Sequence, residues 1–395
     1  MYLARTLREN RTLVEAAIDL HQSGRLPPAC FLIDVDRVHT NSRLVASAGA
    51  KHDIDLLFMS KQIGHNLEAI DAIRTAGIDR TVAVDGRSAS ILARAGVPLG
   101  NIGHLSQVPR HQLPHLISLE PGVVTLFNSR QAEAVAAAAQ GLGMTQAVQL
   151  KVAVEEGPVF PGQEGGFTLT EFDGELKQIA DLDGIDVIGV TAYPCVDYDE
   201  TQQTYVPSVL VPELVAAAER LADTLDVTPV VNAPGSTSVA AMRILGEIGA
   251  TVAEPGHALT GTGPHHANGE GPEEPAIVYV SEIVHVDDGA AHAIGGGLYR
   301  RGRLANAIVG HDESAVAEPP LPVSVPGPGY IDYHFSINTM GSRINVGDTV
   351  VCAFRPQVFV TYCRTASIAG IGSSEPDLGP IRDSLGNPDL TWTGE

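Results

Sequence analysis

Short apolar runs alternate with amphipathic stretches over the first two thirds of the chain. We predict strands at the apolar runs, which cover residues 54–61, 80–85, 102–108, 123–128, 147–154, 185–193, 229–235 and 251–256. We predict helices at the amphipathic stretches, which cover residues 66–76, 88–95, 130–141, 176–182, 211–225 and 239–249. Because strands that alternate with helices indicate βα units, the pattern predicts an α/β fold in which eight parallel strands close into a (β/α)8 TIM barrel.

A doubly wound open sheet has the same alternation of strands and helices and is the alternative fold. Such sheets often carry a G-x-G-x-x-G motif after an early strand, and this sequence has none at that place. The barrel is therefore the preferred prediction.

The pattern changes after about residue 265. Residues 261–275 are rich in Gly, Pro and polar side chains, and β-branched runs without helical periodicity follow at 277–286, 344–353 and 358–368. These runs predict a C-terminal all-β domain. Near the N-terminus we predict a helix at 3–23 and a strand at 30–35 that joins the C-terminal sheet. The predicted divisions are residues 1–35, which join the β domain, 36–265 for the barrel and 266–395 for the C-terminal β domain.

The composition excludes several classes of protein. The 395 residues include 25 Lys+Arg and 47 Asp+Glu, a formal net charge of −22, which disfavours binding to nucleic acid or to anionic membranes. No apolar run approaches the roughly 20 residues that span a bilayer, and the first thirty residues have no signal-peptide core, so we expect a cytoplasmic protein. The four cysteines form no cluster with metal-ligand spacing, so we expect reduced thiols and no metal.

Three predicted strand ends carry candidate chemistry, since catalytic groups of such barrels lie at the carboxyl ends of strands. The first strand ends at Lys61, whose desolvated amine can form a Schiff base, although a strand-end lysine that reaches solvent is the ordinary alternative. The seventh and eighth strands end in small-residue turns typical of a phosphate site, and the residues assigned to the cofactor there are Asn232, Gly235, Ser236, Thr237, Gly256 and His257. A Schiff-base lysine with one phosphate site indicates pyridoxal 5′-phosphate.

Further side chains complete the predicted site. A carboxylate at Glu254 beside the pyridine nitrogen would keep that nitrogen protonated, so that the ring can stabilise a carbanion, although a glutamate that caps a helix or pairs with an arginine is the alternative. His104 and Gln107 end the third predicted strand, and His104 is a candidate contact of the cofactor, or else a histidine bonded to loop backbone. Arg355 is a candidate for binding a substrate carboxylate from a second subunit, or else a surface arginine.

Several longer stretches resemble a known family. They are Met59-Ser60-Lys61-Gln62 and residues 31–36, 103–109, 160–164, 253–262 and 295–302. The chain resembles the fold-type III pyridoxal-phosphate enzymes, the alanine racemase-like group, and within it the YhfX family of amino-acid racemase-like proteins. The resemblance covers nearly the whole chain. It implies an N-terminal barrel, a C-terminal β domain and pyridoxal phosphate as the cofactor.

The resemblance also implies catalytic roles. Lys61 would carry the cofactor as an internal aldimine and act as one α-proton base, with the second base supplied by the partner in a homodimer with shared active sites. Tyr299 is the candidate second base, because it follows the eighth-strand motif at a separation similar to that of the tyrosine base in alanine racemases. An ordinary strand aromatic is its alternative. Depending on register, Ala192 or Tyr193 takes the place of the histidine that often stacks on the cofactor in this fold type.

The expected function is that of an amino-acid racemase which works through an external aldimine and an α-carbanion. Glu254 departs from alanine racemases, which have an arginine at this place, and resembles the decarboxylases of the same fold type. An amino-acid decarboxylase or other lyase is therefore an alternative, although Cys363 is followed by Arg364 rather than by the aspartate usual in those decarboxylases. A pyridoxal-phosphate carrier without a substrate is the alternative from another class, and the large C-terminal domain argues against it.

Overall fold

The structure, a computed structural model, describes residues 1–155, 160–269, 271–299, 301–327 and 329–392. The α-helices are α1 (Tyr2–Glu9), α2 (Arg11–Gln22), α3 (Val35–Ala50), α4 (Leu67–Thr75), α5 (Gly86–Arg94), α6 (Leu113–Ile117), α7 (Ser129–Gly141), α8 (Leu169–Ala180), α9 (Val211–Leu225) and α10 (Met242–Glu247). The strands are β1 (Cys30–Asp34), β2 (Asp55–Met59), β3 (Arg80–Ala83), β4 (Leu99–Ile102), β5 (Val123–Leu126), β6 (Gln146–Lys151), β7 (Ile185–Thr191), β8 (Val196–Asp199), β9 (Thr204–Pro207), β10 (Val230–Asn232), β11 (Val252–Ala253), β12 (Ile277–Asp287), β13 (Ala290–Ile294), β14 (Asn306–Gly310), β15 (Leu321–Ser324), β16 (His334–Asn338), β17 (Thr349–Cys352), β18 (Arg364–Ala369), β19 (Asp377–Leu378) and β20 (Arg382–Asp383).

The chain forms two compact units. The barrel unit comprises residues 45–59 and 78–256, and the sheet unit comprises residues 1–44, 60–77 and 257 onward. None of the helices in the described ranges has the length and apolar character needed to cross a membrane.

The barrel unit contains a closed barrel of eight strands in the order β2, β3, β4, β5, β6, β7, β10 and β11. Neighbouring strands are parallel, and β11 pairs with β2 to close the ring. Phe58, Val82, Val124, Leu150 and Val190 are buried on these strands, as expected for parallel strands that are covered on both faces. The predicted (β/α)8 barrel is confirmed.

One barrel strand lies earlier in the chain than predicted. The strand expected at 102–108 is wrong, because β4 ends at Ile102 and a loop follows. Gly103 turns the chain there with a φ of 79°, and a Cβ on it would lie 2.9 Å from a carbonyl oxygen of β5. The side-chain amide of Gln107 donates to the same strand at 2.9 Å and ties the loop down. His104 is therefore a loop residue.

Other limits in the barrel unit also differ from the prediction. The helix expected at 176–182 begins earlier, at Leu169, and the one expected at 239–249 is a 3-10 helix at Val239–Ala241 followed by α10. The antiparallel hairpin of β8 and β9 was not predicted. Its strands lie between β7 and α9 in the chain, so this βα connection carries structure of its own.

The sheet unit contains a ten-stranded sheet in the order β13, β16, β15, β14, β17, β12, β1, β18 and β19, with β20 paired to β18. The N-terminal strand β1 pairs with β12 in antiparallel and with β18 in parallel orientation, so it lies within the C-terminal sheet. Leu13 and Ile18 of α2 belong to the same hydrophobic core as Val280 and Val351 of the sheet. The predicted all-β C-terminal domain is confirmed.

Three predicted limits in the sheet unit are wrong. The helix expected at 3–23 is divided into α1 and α2 at Asn10, whose side-chain amide donates to Asp34 Oδ2 and to a backbone carbonyl, both at 2.9 Å. The strands expected at 344–353 and 358–368 are shorter and correspond to β17 and β18. Buried polar partners at Asn10 thus end a helix that periodicity alone would continue.

Candidate active site

A buried carboxylate lies at the carboxyl end of barrel strand β11. Glu254 follows β11 directly and is 4% exposed. Its Oε1 accepts hydrogen bonds from the side-chain amides of Asn232 at 2.8 Å and Asn101 at 3.1 Å. From the described residues, its Oε2 accepts no hydrogen bond, and it lies 3.6 Å from Nε2 of the buried His104. Two amides thus hold one carboxylate oxygen, and the other accepts no hydrogen bond from the described residues.

Asn101 is a site residue that the sequence analysis missed. It lies fully buried in β4, in a stretch that was not predicted to be a strand. An amide there breaks the apolar run by which buried strands are recognised. A buried amide needs hydrogen-bond partners, and the carboxylate of Glu254 is one of them. A polar amide within an otherwise apolar barrel strand, together with a carboxylate at the end of another strand, is the sequence feature that could have indicated Asn101.

The strand that leads to Lys61 is next to the strand that leads to Glu254. β2 pairs with β11, and beyond this pairing the backbone N–H of Met59 donates to the carbonyl oxygen of Pro255 at 2.8 Å. Lys61 follows two residues after Met59 and begins a 3-10 helix at Lys61–Ile63. Gly256 follows Pro255. The barrel therefore brings together the strand ends from which these three predicted site residues continue.

Aromatic side chains accompany His104. The His104 ring is fully buried and meets Tyr193 edge to face, with ring centroids 5.6 Å apart. Tyr193 follows β7 by two residues and also contacts Phe160, at a centroid distance of 5.9 Å. Ala192 is completely buried, whereas Tyr193 is half-buried. Of the two residues considered for cofactor stacking, Tyr193 is the one with an aromatic ring and a partly exposed side chain.

Two buried hydroxyls follow β10. Oγ1 of Thr237 and Oγ of Ser238 have no hydrogen-bond partner among the described residues, although both side chains are buried. Buried hydroxyls without partners are costly, so such atoms indicate a ligand or water at that place. Thr237 was predicted as a phosphate contact, whereas Ser238 was missed because sequence gives no measure of which hydroxyl in a turn is buried.

The turn residues before these hydroxyls have a structural partner. The backbone N–H of Ser236 donates to the carbonyl oxygen of Val196 at 3.0 Å, and a Cβ on Gly235 would lie 2.6 Å from that same oxygen. Val196 begins the unpredicted strand β8. Close packing on β8 therefore explains why a glycine stands at position 235. The backbone N–H of Ser236 is already hydrogen-bonded to β8.

Within the sheet unit, a buried histidine lies in the positive field of nearby cationic side chains. His257 is buried, its Nε2 accepts from the side-chain amide of Gln357 at 3.2 Å, and its Nδ1–H donates to Thr262 at 3.1 Å. Burial lowers the pKa of His257 well below its usual value, and the positive charges of Arg355 and Lys61 lower the pKa further. The side chain of His257 is thus fully engaged, and its surroundings favour an anion.

Tyr299 and Arg355 are connected through one backbone segment. The N–H of Gly302 donates to the carbonyl oxygen of Tyr299 at 2.7 Å, and the N–H of Arg355 donates to the carbonyl oxygen of Gly302 at 2.9 Å. Both side chains are half-buried. Arg300, which belongs to the same sequence motif, lies outside the described residues. In the sheet unit, the backbones of the candidate second base and of the candidate carboxylate-binding arginine are thus both hydrogen-bonded to Gly302.

Three buried side chains in the sheet unit have donor atoms near one another. They are His265, His266 and Glu273, with His266 Nε2 at 3.1 Å from Glu273 Oε2. The backbone N–H of Gly263 donates to Nδ1 of His266, so the ring proton lies on Nε2 and is donated to Glu273. Burial lowers the pKa of His266 to about 4. A metal-bound histidine instead uses its second ring N–H as a donor, so this geometry fits a hydrogen-bonded core better than a metal centre.

Comparisons with known proteins identify both parts of the chain. Residues 33–264 match the family described as alanine racemase, N-terminal domain, and residues 278–378 match the family described as YhfX-like, C-terminal domain. The chain is 35% identical over 388 residues to the uncharacterized protein YhfX of Escherichia coli (strain K12), covering 98% of this chain and 99% of that protein. The resemblance found in the sequence is confirmed.

Solved structures share the fold at low sequence identity. D-threonine aldolase from Filomicrobium marinum matches with a TM-score of 0.63 and 15% identity over 92% of this chain and 96% of that one. Alanine racemase of Clostridium difficile 630 matches with a TM-score of 0.62 and 15% identity over 91% and 99%. A D-threo-3-hydroxyaspartate dehydratase variant matches with a TM-score of 0.64 and 16% identity over 90% and 95%. By its match to the alanine racemase N-terminal domain and its identity to YhfX, the chain belongs to the alanine racemase-fold family, as a member with a YhfX-like C-terminal domain.

Proposed function

We propose that this protein is a pyridoxal-phosphate-dependent amino-acid racemase in which Lys61 holds the cofactor and acts as one α-proton base. The family and the racemases among its structural neighbours support this reaction. The neighbours also include an aldolase and a dehydratase, so the assay must separate racemisation from bond cleavage.

The observation that carries the proposal is the environment of Glu254. Two amides hold Oε1, and Oε2 accepts no hydrogen bond from the described residues although it is buried. A protonated ring nitrogen is a donor of matching charge for such an oxygen, and charge-assisted hydrogen bonds are about twice as strong as neutral ones. The Oε2 oxygen of Glu254 therefore fits the protonated pyridine nitrogen of pyridoxal phosphate as its hydrogen-bond acceptor.

The hydroxyls that follow β10 fit the phosphate of the same cofactor. Thr237 Oγ1 and Ser238 Oγ are buried donors without partners in the described chain, and a phosphate oxygen is a suitable acceptor. β10 and β11 are neighbours in the barrel, and the side chain of Asn232 on β10 already bonds Glu254. The ring and phosphate contacts thus come from adjacent strand ends.

Each residue of the proposed site has a separate role in racemisation. When bound, pyridoxal phosphate supplies an electron sink that stabilises negative charge at the substrate α-carbon. Glu254 keeps the proton on the ring nitrogen. One of Lys61 and Tyr299 would remove the α-proton and the other would deliver a proton to the opposite face of the α-carbon, while Arg355 would bind the substrate carboxylate. Tyr193 would pack on the ring of the bound cofactor.

We further propose that two copies form a homodimer with shared active sites, in which Tyr299 and Arg355 serve the partner. Support comes from three exposed aromatic side chains, Tyr330 (80% exposed), Tyr333 (70%) and Tyr362 (95%). Two of them lie near the segment that leads to Tyr299, because the N–H of Gly295 donates to the carbonyl oxygen of Tyr333 and the N–H of Tyr362 to that of Gly296, both at 2.9 Å. Contiguous exposed apolar surface is typical of an interaction site.

The test begins with purified protein loaded with pyridoxal phosphate. It should absorb visible light and convert a single-enantiomer amino acid into the racemate without release of CO2 or an aldehyde. Lys61→Ala should lose both the visible band and the activity, whereas the matched control Lys177→Ala, which changes an exposed helix lysine, should keep both. Release of CO2 or aldehyde would assign a decarboxylase or another lyase instead. A visible band with no change in any amino acid would point to a carrier protein and contradict the proposal.

A further inference from the structure

A network of buried polar side chains connects three barrel strands to Glu254. Asn101 on β4, Thr125 on β5 and Gln149 on β6 lie on three successive strands, and each is at most 1% exposed. Thr125 and Gln149 are direct partners in the register of β5 and β6. Polar side chains at such positions replace apolar packing, so their contacts need an explanation.

The hydrogen bonds of this network all run in the same donor-to-acceptor direction, from Gln149 toward Glu254. The Gln149 side-chain N–H donates to Thr125 Oγ1 at 2.8 Å, and the Thr125 hydroxyl donates to Asn101 Oδ1 at 2.9 Å. Because Asn101 Oδ1 accepts this bond, its amide nitrogen faces the other way and donates to Glu254 Oε1 at 3.1 Å. A flipped Asn101 amide would place its oxygen against the carboxylate. The network therefore fixes the Asn101 amide in the orientation that donates a hydrogen bond to Glu254.

We propose that Asn101, Thr125 and Gln149 are positioning residues that keep the cofactor ring nitrogen protonated by stabilising the ionised form of Glu254. This inference rests on the proposed function, in which Glu254 Oε2 binds that nitrogen. In a buried pair, the proton can lie on the nitrogen or move to the carboxylate, and low polarity favours the neutral arrangement. Donors on Oε1 stabilise the charged carboxylate and leave the proton on the ring.

The network also favours one orientation of Glu254. Asn101 and Asn232 approach the same oxygen from β4 and β10, so Oε1 is held from two strands. The other oxygen then keeps its lone pairs for the cofactor. Hydrogen bonds in a series polarise one another, so the loss of Thr125 weakens the Asn101 donor although Thr125 itself does not contact Glu254.

The experiment uses protein loaded with pyridoxal phosphate that is ¹⁵N-labelled in the ring, and it reads the ring nitrogen by NMR as a function of pH. Thr125→Val keeps the shape and removes the hydroxyl. It should lower the pH at which the nitrogen loses its proton by about one unit, a tenfold change in the protonation equilibrium. Asn101→Leu should move it at least as far, and Thr125→Ser, which restores the hydroxyl, should return the parent profile.

Thr81→Val is the matched control. Thr81 is equally buried on β3, and its hydroxyl donates to the carbonyl oxygen of Phe58 at 3.0 Å, outside this network. Its NMR profile should equal that of the parent. Equal profiles for Thr125→Val, Asn101→Leu and the parent would overturn the inference, and so would a shift in Thr81→Val as large as that in Thr125→Val. If Thr125→Val does not fold, Asn101→Leu decides alone. Failure to retain pyridoxal phosphate in the parent protein would instead refute the proposed function.

Discussion

Replacing Lys151 with methionine should remove a pH-dependent part of the stability of the barrel unit. Lys151 ends β6 with only 3% of its surface exposed. Its Nζ donates to the carbonyl oxygens of Gln163 and Gly165, both at 2.6 Å, and lies 4.4 Å from the centroid of the Phe127 ring. Methionine has a similar length and fills the same space without the amine.

The magnitude follows from the pKa of the lysine. Burial lowers the pKa of Lys151 from 10.5 to about 8, although the charge of Glu164 acts in the opposite direction. Between these two values the unfolded chain binds more protons than the folded one, so this group makes the free energy of unfolding rise with pH. A difference of about 2.5 units corresponds to roughly 3 kcal/mol at 1.36 kcal/mol per unit. The neutral amine keeps two N–H donors, so both carbonyl contacts persist above pH 8.

Urea denaturation at several pH values between about 7 and 10.5 tests this reasoning. The free energy of unfolding of the parent, minus that of Lys151→Met, should increase by roughly 3 kcal/mol across this range. The control Lys177→Met, which changes an exposed lysine, should not reproduce this increase. Parallel curves for the parent and Lys151→Met would refute the assignment of a lowered pKa to this lysine.

Three further predictions concern the proposed site and the barrel. Glu254→Gln keeps the shape but loses the charge, so α-proton exchange in deuterated water should slow far more than cofactor binding weakens; equal exchange rates would make Glu254 structural. Mixing Lys61→Ala and Tyr299→Phe dimers should restore activity in up to about a quarter of the sites if each site uses both chains, and no recovery after proven exchange would contradict sharing. Gly189→Ala should lower the free energy of unfolding by about 3 kcal/mol, because its Cβ would lie 2.1 Å from a carbonyl oxygen of β10, whereas Gly174→Ala, with open space around it, should not lower it. Both glycine variants are measured by urea denaturation.

Sequence periodicity was sufficient for the barrel because its strands are buried on both faces and read as continuous apolar runs. It failed where buried polar groups serve a partner far along the chain. Asn101 interrupts β4 in order to reach Glu254, and Asn10 ends α1 by bonding Asp34. Neither partner lies within the window over which a periodicity is measured.

Some residues of the candidate site could be predicted from the sequence and others could not. Lys61 and Glu254 could be named from sequence because a residue at the end of a strand is recognisable by its position. Ser238 could not, because its interest lies in a buried hydroxyl without a partner in the described chain. The packing of Gly235 on Val196 was also hidden, since β8 belongs to a hairpin that the local pattern did not reveal.

The position of β1 inside the C-terminal sheet has a consequence for biosynthesis. Cys30 pairs with Val280 of β12 and with Arg364 of β18, so β1 must wait for two strands that are synthesised much later. At about 5 to 20 residues per second, β12 follows β1 after roughly 10 to 50 s and β18 after roughly 15 to 70 s, so β1 has no strand partner until β12 emerges and one unpaired edge until β18 does. The barrel strands, by contrast, pair mostly with neighbours in the chain and can assemble as they emerge. We therefore expect the barrel to form first on the ribosome, with β1 as the segment that most needs a chaperone.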